Sequence, residues 1–283
     1  DLTQQLWFIR TSLTTLTEEE QWPVYHLKEP QNLASPEQML RAAQIIGDRL
    51  ESLALRSEQD ASWIGLNLVN EKHWTLAPLG MDLYEGIPGV LLFLAYLGHI
   101  TKENRYTNLA EAALRTLQRQ IESRKGFTTS IGGFEGWGGI IYTLTHLSIL
   151  WNKSELLAQA ESLVALIPSL ISKDKQFDII GGSAGAIVSL TSIYHCHPSQ
   201  STLTVATQCG DYLIHQAQRM EYGIGWLCEK IAKKPLTGLS HGVAGISWAL
   251  LKLAALTGEE RFRTTAMSAI TYERSLFCPE VAN

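Results

Sequence analysis

Four stretches of the chain align on a Gly-x-x-Gly core followed by an apolar run. They are D-L-Y-E-G-I-P-G-V-L-L-F-L from Asp82, G-G-F-E-G-W-G-G-I-I-Y-T-L from Gly132, D-I-I-G-G-S-A-G-A-I-V-S-L from Asp178 and G-L-S-H-G-V-A-G-I-S-W-A-L from Gly238. Their first core glycines, Gly86, Gly136, Gly182 and Gly242, stand 50, 46 and 60 residues apart. A recurrence near this length marks a repeat architecture, in which one supersecondary unit stacks on copies of itself. After each apolar run comes a polar turn and a second segment with apolar residues at helical spacing. Tyr106, Leu109, Ala113, Leu117 and Ile121 follow the first core in this way, and Leu156, Leu163, Leu166 and Leu170 the second. Each unit is therefore predicted as a helical hairpin. Its first helix is apolar nearly all round and buried, and its second keeps one polar face and lies outside. Such hairpins close into a nested α/α barrel. The expected fold class is all-α, an α/α toroid of hairpin repeats, incomplete in this chain.

Ahead of the first core, Leu2, Leu6, Ile9, Leu13 and Leu16 form one apolar stripe. Ser35-Pro36-Glu37-Gln38 reads as a helix start, with Ser as N-cap, Pro at the first helical position and Gln completing a capping box. Between them, residues 18–34 hold two prolines and mixed charges and read as a connector. No series of β-branched strands alternates with helices. The expected division is a helical connector over 1–75 and the repeat domain over 76–283.

The bulk chemistry excludes several function classes. The 283 residues are 45% hydrophobic and 18% charged with a formal net charge of −5, so the chain is globular and lacks the basic footprint of a nucleic-acid binder. The longest apolar runs, Ile87–Leu97 and Ile246–Leu256, are shorter than the roughly 20 residues of a membrane span. Four cysteines, Cys196, Cys209, Cys228 and Cys278, are widely spaced with no C-x-x-C, which suits a reducing compartment and a cytoplasmic protein.

Glycine at a loop-to-helix junction permits φ > 0 and close helix approach. If all four inner helices begin this way, their N-termini converge on one mouth, where free N–H groups favour anions such as thiolates, carboxylates or enolates. The residues before each core glycine face that mouth. One position before it stand Glu85, Glu135, Gly181 and His241, and four before it stand Asp82, Gly132, Asp178 and Gly238. Asp82 and Asp178 have the plain reading of turn or helix capping, and His241 that of a satisfied buried histidine. Gly238-Leu239-Ser240-His241-Gly242 also fits G-x-S-x-G, the nucleophile elbow of serine hydrolases. An elbow requires a buried strand before it, whereas Glu229-Lys230-Ile231-Ala232-Lys233-Lys234-Pro235 is charged and ends in proline. Ser240 occupies the place of Tyr84, Phe134 and Ile180 in the other repeats and reads as a repeat variant. A third possibility is an α/α-barrel glycosidase using Asp82, Glu85, Glu135 and Asp178 as acid and base.

The stretches D-L-Y-E-G-I-P-G-V-L-L-F-L-A-Y-L-G, F-D-I-I-G-G-S-A-G and G-L-S-H-G-V-A-G-I, in this order, resemble the LanC-like cyclase domain of class II (LanM-type) lanthionine synthetases. The opening D-L-T-Q-Q-L-W-F-I-R is similar to the stretch that enters this domain from a dehydratase half. The resemblance implies an α/α toroid that forms thioether rings in a ribosomally made precursor peptide, by adding cysteine sulfur to the β-carbon of dehydroalanine or dehydrobutyrine. It implies His241 and Asp178 as the catalytic residues, a zinc ion that activates the cysteine thiol, and a dehydratase domain as partner, with ATP and magnesium belonging to that half. The family's zinc-ligand motifs, of W-C-x-G and C-H-G type, have no match here, and Cys278, Cys196 and Cys228 fit none of them. The chain is therefore expected to be a truncated synthetase, holding no metal or cofactor residues of its own and inactive alone. The rival expectation is a LanC-like domain that binds a peptide or partner without catalysis.

Overall fold

A computed structural model describes residues 34–69, 73–124, 130–228 and 232–277. The apolar stripe of Leu2 to Leu16, most of the 18–34 connector and Cys278 lie outside these residues. Contacts group the chain into two units, Asp1–Ala42 and Ala43–Asn283.

In the first unit the capping box forms as its sequence dictates. Gln38 N donates to Ser35 Oγ at 3.2 Å and Ser35 N donates to Gln38 Oε1 at 2.9 Å, opening helix α1 (Pro36–Leu53).

The second unit departs from the expected helical connector before it enters the repeats. Two small antiparallel pairs precede the repeats, β1 (Leu55–Arg56) with β2 (Ala61–Ser62) and β3 (Ile64–Val69) with β4 (His73–Pro78). The cause is legible in the residues: Ile64, Leu66 and Leu68, and then Trp74 and Leu76, alternate with non-leucine neighbours at period two, the strand period. The register places Leu66 opposite Leu76 and Leu68 opposite Trp74. Ile64, Leu66, Trp74 and Leu76 all remain exposed.

Four helical hairpins follow, as the repeats predict. The first helices are α2 (Ile87–Thr101), α4 (Trp137–Trp151), α7 (Ser183–Cys196) and α9 (Val243–Thr257). The second helices are α3 (Asn104–Arg124), α5 (Ser154–Val164), α8 (Gln200–Gln216) and α10 (Glu260–Ser275). Each first helix packs on the next, α2 on α4, α4 on α7 and α7 on α9, while each second helix packs on its own partner. Burial follows this layering. Along α4, ten residues from Trp137 to Ser148 are buried around most of the circumference, whereas α5 buries Leu156, Ala160, Leu163 and Val164 on one face. The stripe of α3 is buried at each predicted position, Tyr106, Leu109, Ala113, Leu117 and Ile121. The second repeat's stripe is broken in two. Helix α5 stops at Val164, and Pro168, whose missing N–H and fixed φ suit a first turn, starts the short α6 (Pro168–Ile171).

The core glycines serve mainly close approach rather than left-handed backbone. Gly86, Gly182 and Gly242 have φ of −101°, −112° and −115°, and only Gly136 is positive at 139°. The second glycine of each core shows the constraint most clearly. A Cβ on Gly89, Gly139, Gly185 or Gly245 would collide with the carbonyl oxygen six residues earlier, that of Leu83, Gly133, Ile179 or Leu239. Each inner helix thus begins pressed against its own entry loop.

Candidate active site

The four entry loops are laced together by main-chain hydrogen bonds from one repeat to the next. Leu83 N donates to Phe134 O at 2.8 Å, Gly133 N to Ile179 O at 3.0 Å, and Phe134 N and Glu135 N to Ile180 O at 3.0 and 2.8 Å. Ile179 N then donates to Ser240 O at 3.2 Å. The bonds hold all four helix N-termini at one end of the repeats, the convergence expected from the glycine pattern. The last bond sets the chain beside Asp178 in register with the chain beside His241.

Asp82 and Asp178, each four residues before a core glycine, use one carboxylate oxygen alike. Asp82 Oδ1 accepts from Glu85 N at 2.7 Å, and Asp178 Oδ1 from Gly181 N at 2.9 Å. The capping reading of these residues is correct as far as it goes. Asp178 goes further: its Oδ2 lies 2.7 Å from His241 Nδ1, closing a contact between the third and fourth repeats. The Asp178 side chain is 1% exposed and that of His241 is 45% exposed. His241 is therefore not the satisfied buried histidine of the plain reading; one ring edge rests on a buried acid and the ring reaches solvent at the mouth. Burial pushes the Asp178 carboxyl above the ordinary aspartate range, while the Gly181 N–H and His241 act against that rise. A carboxylate only accepts, so the hydrogen bond assigns the proton of neutral His241 to Nδ1 and leaves the Nε2 lone pair free. An imidazole held at Nδ1 by a carboxylate in this way can accept a proton at Nε2.

The other mouth carboxylates gather around the pair. Glu135 is exposed, yet crowding that removes water from its carboxyl pushes it above the ordinary glutamate range. The charges of Asp82, Asp178 and Glu85 add to this, and His241 opposes it. Tyr84 and Phe134 meet edge to face beside them, with centroids 6.4 Å apart. Ser240 lies in an irregular segment, and from Ala232 to Leu239 no strand precedes it, so the elbow is absent among the described residues. Its carbonyl, rather than its hydroxyl, makes the bond that registers the site.

One residue that motif reading passed over braces the pair. Asp174 is 8% exposed and its carboxylate accepts four hydrogen bonds, from Gln176 N at 2.8 Å, Phe177 N at 3.0 Å, Ser183 N at 2.7 Å and Ser183 Oγ at 2.6 Å. The signal available in sequence was slight: an aspartate eight residues before a core glycine and a serine directly after that glycine.

The three described cysteines do not fit the zinc ion that the resemblance implies. Among the described residues no group of three or more His, Cys, Asp or Glu side chains is placed to hold a metal ion. Cys209 is buried and its thiol is driven up by that burial, Cys196 is exposed and bonds to the Ser192 carbonyl, and Cys228 is half-buried. Among the described residues no helix is long and apolar enough to cross a membrane.

Comparison with known proteins identifies the fold and the family. A nisin cyclase structure superposes with a TM-score of 0.55 at 14% identity, covering 85% of this chain and 64% of that one. The chain thus spans less than two thirds of the length of that cyclase. An inactive variant of the α-1,6-mannanase GH76A of Salegentibacter sp., in complex with α-1,6-mannotriose, superposes with a TM-score of 0.51 at 12% identity, covering 85% of this chain and 70% of that one. Identities this low make both of these likenesses of fold, that of the α/α toroid. No curated protein matches the sequence. Residues 77–283 match the family described as lanthionine synthetase C-like protein, a span that holds all four glycine cores and both members of the Asp178–His241 pair. On that match, the chain belongs to the lanthionine synthetase C-like family.

Proposed function

We propose that this chain is part of a peptide thioether cyclase of the class II lanthionine synthetase kind, and that Asp178 and His241 are its proton-transfer pair. The observation that carries the reading is the 2.7 Å contact between a buried carboxylate and a half-exposed imidazole, at the mouth where the helix N-termini gather. In ring closure, the S–H of a peptide cysteine gives its proton to His241 Nε2. The sulfur bonds to the β-carbon of a dehydroalanine or dehydrobutyrine, and the alkene electron pair moves to the α-carbon and its carbonyl as an enolate. The imidazolium, held by Asp178, returns the proton to the α-carbon. One S–H and one C=C become one S–C and one C–H, so the peptide mass is unchanged. The inner-helix N–H groups and the imidazolium favour the enolate electrostatically. The peptide must arrive dehydrated, so the reading includes a dehydratase domain in the same polypeptide as partner, with ATP and magnesium acting there.

The test counts free thiols by alkylation and mass as the longer parent synthetase that carries this chain acts on a dehydrated, cysteine-containing peptide, because the chain alone is expected to be inactive. Thiols are expected to disappear with the parent protein and with Ser240→Ala. With His241→Ala the rate falls at least about 100-fold, the lower range for loss of a general acid–base group. Thiol loss no faster than in buffer, with the parent protein, overturns the cyclase reading and leaves a peptide-binding domain.

A further inference from the structure

We propose that Asp174 is a positioning residue for the Asp178–His241 pair, a carboxylate clip that sets the aim of Asp178. The inference rests on the proton-transfer reading of that pair.

Helix α7 has Gly182 at its N-cap, a residue with no side chain to satisfy the first helical N–H groups. Asp174 takes over that task from nine residues upstream of Ser183. Its Oδ2 accepts from both the main-chain N and the hydroxyl of Ser183, the first residue of the helix. Its Oδ1 reaches back to the amides of Gln176 and Phe177. One carboxylate thus ties the start of the 174–183 loop to its end, with Asp178 between the tied points. The loop needs this restraint because Phe177, the residue directly before Asp178, has φ of 66°, a left-handed conformation that a bulky side chain resists. Helix α8 fastens the same clip from outside. Tyr212 donates its hydroxyl to Asp174 O at 2.6 Å, and its ring lies against that of Phe177 at 6.2 Å between centroids.

Among the described residues the clip is found in the repeat that supplies the buried acid. Eight residues before the other core glycines stand Pro78, Thr128 and Lys234, none of which offers a carboxylate. Asp82, which only caps its own turn, has Pro78 at that place and no such brace. A residue serving helix capping alone would be expected at any of the four junctions. Its occurrence behind Asp178 alone couples it to the contact between repeats.

The experiment reads the proton on His241 directly and does not depend on turnover. In 15N-labelled chain, long-range 15N–1H correlation spectra report which ring nitrogen of each histidine is protonated, and comparison with His241→Ala assigns the signals of His241. The parent chain is expected to hold the neutral ring as Nδ1–H. In Asp174→Ala the population shifts toward Nε2–H, the form a free imidazole favours, because Asp178 no longer presents Oδ2 squarely. Asp174→Asn and Ser183→Ala keep part of the clip and are expected to shift it less, in the same direction; they serve if the alanine variant does not fold. Leu109→Ala, a buried change in α3, controls for general loss of stability and is expected to leave the tautomer alone. In the cyclisation assay, Asp174→Ala lowers kcat by up to about 100-fold with KM unchanged, the scale of a catalytic group misplaced by about 1 Å. Folded Asp174 variants that keep His241 as Nδ1–H overturn the positioning role. Ring closure undiminished in Asp178→Asn and His241→Ala overturns instead the reading on which it rests.

Discussion

Glu135 carries a charge that the fold resists. Crowding at the mouth removes water from its carboxyl, and Asp82 and Asp178 repel its ionised form, so its proton affinity in the folded chain exceeds that in the unfolded chain. A carboxyl raised in this way stabilises the fold fully below its ordinary titration range, and that contribution is lost as pH rises through the folded value. Glu135→Gln cannot ionise. It is expected to match the parent in urea unfolding at pH near 4 and to exceed it at pH 7, with ring closure retained because the pair is untouched. A variant no more stable than the parent at pH 7 would show that neither lost water nor the neighbouring charges burden the Glu135 carboxylate. Asp178 obeys the same sign, burial being its leading cause. Its ionised form costs stability that is tolerated for the hold it gives on His241.

At the scale of the element, the decisive contacts are main-chain atoms brought closer than a side chain allows. A Cβ on Gly185, one turn into α7, would overlap both Ile179 O and Gly133 N, the two atoms of a bond that joins the second and third repeats. Gly185→Ala is expected to cost about 1–3 kcal/mol or more by chemical denaturation, as overpacking does. Because Ile179 adjoins Asp178, the same change is expected to weaken the Asp178–His241 contact. Gly258, at the end of α9, makes the comparison. It has φ of 73° with no atom near its missing Cβ, so Gly258→Ala costs only the left-handed backbone term, about 1 kcal/mol. Equal losses from the two variants would mean that the glycine cores matter for conformation and not for close approach.

Across the 43–283 unit, packing runs from each repeat to its neighbour. Among the described residues, helices α4 and α7 are flanked by an inner helix on both sides, while α2 and α9 each have one such neighbour. Stability in such arrays is close to a sum of nearest-neighbour terms. Amide hydrogen exchange is therefore expected to be slowest in α4 and α7 and faster in α2 and α9. Uniform protection across all four helices would show instead that the unit opens only as a whole. The 55–78 strands stand outside this scheme, with Ile64, Leu66, Trp74 and Leu76 exposed on their ribbon and only small contacts to the helices.

Local chemistry repeated along the chain determined the architecture. The spacing of the glycine cores, the apolar stripe from Tyr106 to Ile121 and the Ser35–Gln38 capping box are properties of near neighbours, and neighbours decide helix starts, helix faces and hairpins. The period-two alternation of Ile64 to Leu76 is equally local but short and set among helices, and the expectation of a helical connector over 1–75 passed over it. The site was legible only through the family resemblance, which implied Asp178 and His241; nothing in their spacing told which of the two capping aspartates would meet the histidine. Tertiary structure made that choice. Asp82 and Asp178 cap identical turns, and only Asp178 lies in the loop bonded through Ile179 to Ser240, which carries His241 to its second oxygen. The Asp174 clip was hidden for the same reason. Its bonds span up to nine residues of a non-repeating loop and depend on the backbone turn at Phe177, which no periodicity encodes.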